Sequence, residues 1–147
     1  MNFLLKVIPR KLITSIRFIS IFYNGYGHSR REKGLCLSNK GLPVPWITYP
    51  CFEFLSRLDF SNANIFEFGS GSSTLWWSKR AKSVNSIERD ENWYENIKAQ
   101  CPSNVTIELC KNEGKYAGTI LTKNINFDVI VIDGAVRYPC VETALKK

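Results

Sequence analysis

The run Asn64-Ile65-Phe66-Glu67-Phe68-Gly69-Ser70-Gly71-Ser72-Ser73-Thr74 constrains this chain more than any other stretch. It reads as a short buried strand, a glycine-bearing turn and a helix start. Glycines at 69 and 71 permit positive φ and close approach of backbone, which a Cβ would hinder. Ser72, Ser73 and Thr74 are good helix N-caps and bring hydroxyl donors. Such a turn presents backbone N–H groups at the positive end of a helix, where an anionic group is favoured. Glu67 stands inside an otherwise apolar strand. A buried carboxylate is costly unless a donor meets it, so a cationic or N–H-bearing group is its natural partner.

Two further strand ends point the same way. Ser83-Val84-Asn85-Ser86-Ile87-Glu88 reads as a strand closing on an acid 21 residues after Glu67. In nucleotide-binding βαβ units an acid about 20 residues on meets ribose hydroxyls. Phe127-Asp128-Val129-Ile130-Val131-Ile132-Asp133-Gly134 is a continuous apolar strand ending in Asp-Gly. Open α/β sheets bind ligands at the carboxyl ends of their strands. Between these landmarks, Ser73–Arg80 reads as a helix. Asp90-Glu91-Asn92 caps a second helix, which runs to about Gln100 before Pro102, and Val105–Leu109 reads as a strand. Cys110–Thr122 is polar and glycine-bearing, and Pro139 opens a last helix over Cys140–Lys147. The order from Asn64 is therefore an alternating α/β pattern, which predicts a parallel sheet flanked by helices with right-handed crossovers.

At 147 residues the chain fits one domain of this kind. Its charge of +7 is unevenly placed. Residues 1–31 hold six basic residues and no acid, leaving 14 basic against 13 acidic residues elsewhere. The globular part is nearly neutral, which argues against a nucleic-acid-binding surface. The five cysteines lack C-x-x-C spacing and read as reduced thiols without a metal framework. The single His28 lies in a polar turn and reads as a surface residue.

Residues 1–23 are apolar but interrupted by Lys6, Pro9, Arg10, Lys11 and Arg17, so they make a poor bilayer span. Leu12, Ile13, Ile16, Ile19 and Phe22/Tyr23 recur at helical spacing. Two readings follow for this basic amphipathic helix: packing on the folded domain, or lying at a membrane surface. No small-residue cleavage site follows it, which argues against a signal peptide. The expected location is the cytoplasm, peripheral to a membrane under the second reading. Asn24–Gly41 reads as a linker or exposed loop, so residues 1–41 form an arm and 42–147 the domain. Leu42–Pro50 carries three prolines and reads as a rigid loop leading into a helix over about Pro50–Leu58. Trp46 and Tyr49 in that loop read first as core or rim packing and second as pocket walls.

The block from Pro43 to Leu145 resembles class I S-adenosylmethionine-dependent methyltransferases. It is most similar to a subgroup with a proline-tryptophan-tyrosine entry loop. The matching pieces are PVPWITYP (43–50), FEFGSGSSTLWWS (66–78), VNSIERDENWY (84–94) and FDVIVIDG (127–134), in that order. The resemblance implies a Rossmann-like sheet of order 3-2-1-4-5-7-6, of which about four strands are present here. It implies S-adenosyl-L-methionine as cofactor. Gly69, Ser70, Gly71 and Ser72, with Ser73 and Thr74, would line its methionine end, and Glu67 would lie near its amino group or a bound water. Glu88, with Arg89 beside it, would hold the ribose hydroxyls. Asp133 would face the methyl-donor pocket and is the candidate base. The acid often found after the family's third strand has no match, since Leu109-Cys110-Lys111-Asn112 stands there.

Under this resemblance the chain is a truncated product holding mainly the cofactor-binding half. Its strand at 127–132 would be an open edge available for self-association. A small-molecule or glycan-type acceptor is expected, and no nucleic acid. Two rivals remain at this stage. One is a non-catalytic remnant that binds a membrane or partner. The other is an NAD(P)-binding oxidoreductase, whose G-x-G-x-x-G fingerprint would need glycine where Thr74 stands.

Overall fold

A computed structural model describes residues 9–25, 30–32 and 34–147. Lys6 and His28 lie outside them. The chain divides into two units, Met1–Val44 and Pro45–Lys147.

In the first unit, helix α1 spans Arg10–Gly25. The segment expected as linker instead holds an antiparallel hairpin of β1 (Arg30–Glu32) and β2 (Leu35–Leu37). Gly34 takes φ +83° in its turn, and Leu35, Cys36 and Leu37 are all buried. Three consecutive buried side chains bounded by a glycine in a positive-φ turn are a short strand signal, but the surrounding polar residues mask it. Among the described residues no helix is long and apolar enough to cross a membrane.

The second unit is an α/β fold. Its elements are α2 (Tyr49–Arg57), β3 (Asn64–Phe68), α3 (Ser72–Ser78), β4 (Ser83–Glu88), α4 (Glu91–Lys98) and β5 (Val105–Leu109). They continue through α5 (Glu113–Tyr116), a 3-10 turn (Ala117–Thr122), β6 (Val129–Ile132) and α6 (Arg137–Ala144). The four strands form a parallel sheet of order β5-β4-β3-β6, a partial Rossmann-like fold. Alternation along β3 sends Phe66 and Phe68 to one face and Ile65 and Glu67 to the other. On the first face Phe66 and Phe68 pack with Ile87, Tyr116, Ala117, Ile120 and Cys140. Edge-on aromatic contacts of 4.8 Å to Phe68 and 5.1 Å to Phe127 fix the Phe66 ring. Near α3, Trp76 and Trp77 pack edge-on at 4.7 Å, and Phe60 meets Trp77 at 5.0 Å. Asn104 donates to the carbonyls of Ser78 and Ala81, satisfying the end of α3.

The boundaries differ from expectation at one place that matters. The last helix starts at Arg137, so Pro139 is its third residue rather than the residue before it. The missing N–H still falls among the first-turn groups that have no intrahelical partner. Its N-cap, Val136, sits at φ +45°, ψ +47°. This conformation is costly for a β-branched residue, and it lies directly after the Asp133-Gly134 turn. All five cysteines are free thiols.

Candidate functional site at the strand ends

The carboxyl ends of β3, β4 and β6 meet. Gly69 N donates to Ile87 O at 2.9 Å, and Asp133 N donates to Phe68 O at 3.1 Å, so the ladder runs to the strand tips. There the two turns touch through their glycines. Gly69 takes φ +94°, and a Cβ on it would stand 2.8 Å from Gly134 Cα. A Cβ on Gly134 would overlap the Tyr116 hydroxyl and stand 2.7 Å from Gly69 N. Only two glycines allow backbone to lie on backbone here. Tyr116 closes the seam from below: it is buried, its hydroxyl donates to Ile87 O at 3.2 Å, and burial holds the phenol well above its usual pKa.

Glu67 is 1% exposed beneath the start of α3. Gly71 N donates to Thr74 Oγ1 at 2.9 Å, and Thr74 Oγ1 in turn donates to Glu67 Oε2. The other carboxylate oxygen, Oε1, is buried without a hydrogen-bond partner. Burial pushes the Glu67 pKa up to about 7, with the Asp133 and Glu88 carboxylates adding to the rise and the Ser73 and Thr74 hydroxyls opposing it. Of those two hydroxyls, Thr74 is the one that closes a hydrogen bond to the carboxylate.

Glu88 is the opposite case. Its Oε2 accepts from Ser70 N at 2.9 Å and Ser70 Oγ at 3.0 Å. Its Oε1 accepts from Arg89 N at 2.7 Å and Asp90 N at 3.0 Å. Four donors match the roughly four lone-pair sites of a carboxylate. Asp90 then caps α4 by accepting from Trp93 N at 2.7 Å. The Trp93 indole donates to Ser70 O at 2.7 Å and lies against Gly71, so the ring holds the glycine turn from the α4 side. Arg89 reaches Glu113 at 2.7 Å, while its Nε is buried without a partner. At the tip of β5, Lys111 pairs with Glu91 at 2.6 Å and Asn112 caps α5.

Asp133 is half exposed, and Arg137 one helical turn on holds its Oδ1 at 2.7 Å. The helix it precedes is capped at Val136, so Asp133 is not a capping residue.

The sequence-derived set Glu67, Gly69, Ser70, Gly71, Ser72, Ser73, Thr74, Glu88, Arg89 and Asp133 thus lies at one end of the sheet, on the ends of three adjacent strands, the turns that leave them and the first turn of α3. Trp46 is 63% exposed, on the loop before α2. Sequence reasoning did not find Tyr116, Trp93 or Arg137. Gly134 carried a signal in its Asp-Gly pair, and Trp93 stood in a recognised segment. Tyr116 stood alone in a polar stretch with no periodicity to reveal it. Among the described residues no group of three or more His, Cys, Asp or Glu side chains is set to hold a metal ion.

No protein-family model matches the sequence. No curated protein matches it either. One solved structure it resembles is M. jannaschii TYW2 in complex with AdoMet, with a TM-score of 0.49 and 14% sequence identity. The likeness covers 81% of this chain and 57% of that one, so the chain spans less than two thirds of that structure's length.

Proposed function

We propose that this chain binds S-adenosyl-L-methionine at the ends of β3, β4 and β6 and belongs to an S-adenosylmethionine-dependent methyltransferase. The observation that carries the reading is the buried Glu67 Oε1, which lacks a donor beside a turn built for close approach. A buried carboxylate oxygen without a partner is held at a cost of several kcal/mol, about 1–3 for a neutral group and more for a charge. An ammonium such as that of the methionine end would relieve it. Arg89 Nε is a second buried polar atom without a partner, one residue beyond Glu88.

The cofactor supplies an electrophilic methyl group on a sulfonium. The chain's own residues bind and align. Glu67 holds an ammonium, and the Gly69–Ser72 backbone stays in place through the Gly69–Gly134 contact and Trp93. Glu88 offers acceptors to a ribose diol once the Ser70 hydroxyl gives way, because the carboxylate is saturated as it stands. Asp133 stands beside the same turns and takes a proton from a hydroxyl acceptor after releasing Arg137. An acceptor of small-molecule or glycan type fits this reading. The nicotinamide alternative is weaker, since Thr74 replaces the third fingerprint glycine and its hydroxyl links Gly71 to Glu67.

Calorimetric titration with S-adenosylhomocysteine and, separately, NAD tests this. The expected outcome is saturable binding of the first, lost in Glu67→Ala, and none of the second. Binding of NAD alone, or of neither, would overturn the reading.

A further inference from the structure

Helix α1 carries an apolar stripe exposed to solvent. Leu12, Ile16 and Ile19 are 51%, 53% and 66% exposed, and Phe18, 57% exposed, stands outside their face beside Lys11. The spacing of Leu12, Ile16 and Ile19, four and then three residues, puts them on one face. At about 100° per residue, Lys11 falls on one side of that stripe and Arg17 on the other, with Arg10 beside Arg17. No acidic residue occurs anywhere in residues 1–31. The Thr14 and Ser15 hydroxyls donate to the carbonyls of Arg10 and Lys11 at 2.9 and 3.0 Å, so two polar side chains of the helix are already satisfied.

We infer that α1 lies in the plane of an anionic lipid surface, its Leu12-Ile16-Ile19 stripe among the acyl chains and Arg10, Lys11 and Arg17 at the headgroups. The charge pattern selects this occupant. A second copy would bring three cations against three cations. The remaining chain, with 14 basic and 13 acidic residues, carries no net negative charge to attract the helix. An interfacial helix needs a narrow apolar face flanked by Lys and Arg, whose stems lie along the apolar surface while their charges reach the headgroups. It does not need bilayer-spanning length, and α1 is about 24 Å long by its 16 residues.

The test is co-sedimentation of the full chain with vesicles of equal parts phosphatidylcholine and phosphatidylserine, against vesicles of phosphatidylcholine alone. Each basic residue at an anionic surface is worth about fivefold in binding at low salt. The chain is expected to sediment with the anionic vesicles and to lose affinity as salt rises. Ile16→Asp with Ile19→Asp should abolish sedimentation, and Lys11→Glu with Arg17→Glu should weaken it more than tenfold. These positions are exposed, so far-ultraviolet circular dichroism of the variants should match the parent. No sedimentation with anionic vesicles would overturn the inference. So would binding that both double variants leave unchanged. A dimer in light scattering that Ile16→Asp with Ile19→Asp dissolves, without vesicle binding, would assign the stripe to a second copy instead.

Discussion

The β3–β6 side of the strand ends and the β4 side are built on different principles. Along β3–β6, backbone presses on backbone at Gly69 and Gly134, Tyr116 fills the space below, and Glu67 is sealed in with one oxygen unmet. Along β4, Glu88 is held by four hydrogen bonds from Ser70, Arg89 and Asp90, all at its partly buried rim. Close packing has no cheap alternative arrangement, whereas a hydrogen bond to a hydroxyl exchanges for another hydroxyl at little net cost. The first side therefore sets the frame, and under the proposed function the second is where a ligand's hydroxyls would enter.

The comparison breaks most visibly at Gly134. Gly134→Ala pushes a methyl against Gly69 N and the Phe68 carbonyl carbon at 2.7 and 2.8 Å, and neither backbone site yields. The expected loss in urea denaturation exceeds the roughly 3 kcal/mol that overpacking usually costs. Gly71→Ala is the control. Its φ of 168° is extended backbone, and the new methyl meets Trp93 at an ordinary 3.8 Å, so stability should change little. Equal losses in the two variants would erase the distinction between the sides.

Glu67 gives the next largest effect, and it depends on pH. The folded-state value of about 7 lies above the ordinary 4.5, so between these values the folded chain keeps a proton that the unfolded chain has released. Stability is therefore fully present below pH 4.5, falls as pH rises through 7 and then levels, by about 3 kcal/mol in all at 1.36 kcal/mol per unit. Glu67→Gln should flatten that slope in urea midpoints taken across the range; a parallel slope in the variant would locate the titration elsewhere. Under the proposed function the same proton would have to leave before Glu67 could meet an ammonium as an anion. Affinity for S-adenosylhomocysteine is therefore expected to rise as pH passes 7.

The two sides were also unequally legible from sequence. The frame was readable because it rests on local rules. Alternation in β3, the Asp90 cap and the Gly69 turn each follow from residues within a few positions, and the parallel sheet follows from the alternation of strand and helix, whereas the order β5-β4-β3-β6 was implied only by the family resemblance. Glu67 stood out as a carboxylate inside an apolar strand, and Glu88 and Asp133 stood out as acids closing strands. What the sequence hid was long-range or local in a way composition obscures. Tyr116 reaches the seam across 29 residues to Ile87, with no pattern to announce it. The β1–β2 hairpin is three residues a strand, too short for periodicity to register among charged neighbours. That Glu88 is saturated and Glu67 is not depends on where Ser70 and Thr74 point, and side-chain direction at a turn is set only by the assembled fold.

The smallest expected effect tests the β4 side most directly. Ser70 gives Glu88 Oε2 both a backbone N–H and a hydroxyl. Ser70→Ala removes the hydroxyl, keeps the N–H and leaves the Trp93 bond to Ser70 O untouched. Loss of one hydrogen bond to a partly buried carboxylate lowers stability by about 1–2 kcal/mol. If the hydroxyl stands where a ribose hydroxyl would bind, the variant no longer has to displace it, and the ligand regains the vacated acceptor. Affinity for S-adenosylhomocysteine should then hold or rise a few fold, against the roughly fivefold to tenfold that one such hydrogen bond is worth. Stability and affinity move in opposite directions only if Glu88 exchanges one hydroxyl for another. A parallel fall in both, read by urea midpoint and calorimetric titration of the same variant, would make the β4 side as rigid as the β3–β6 seam.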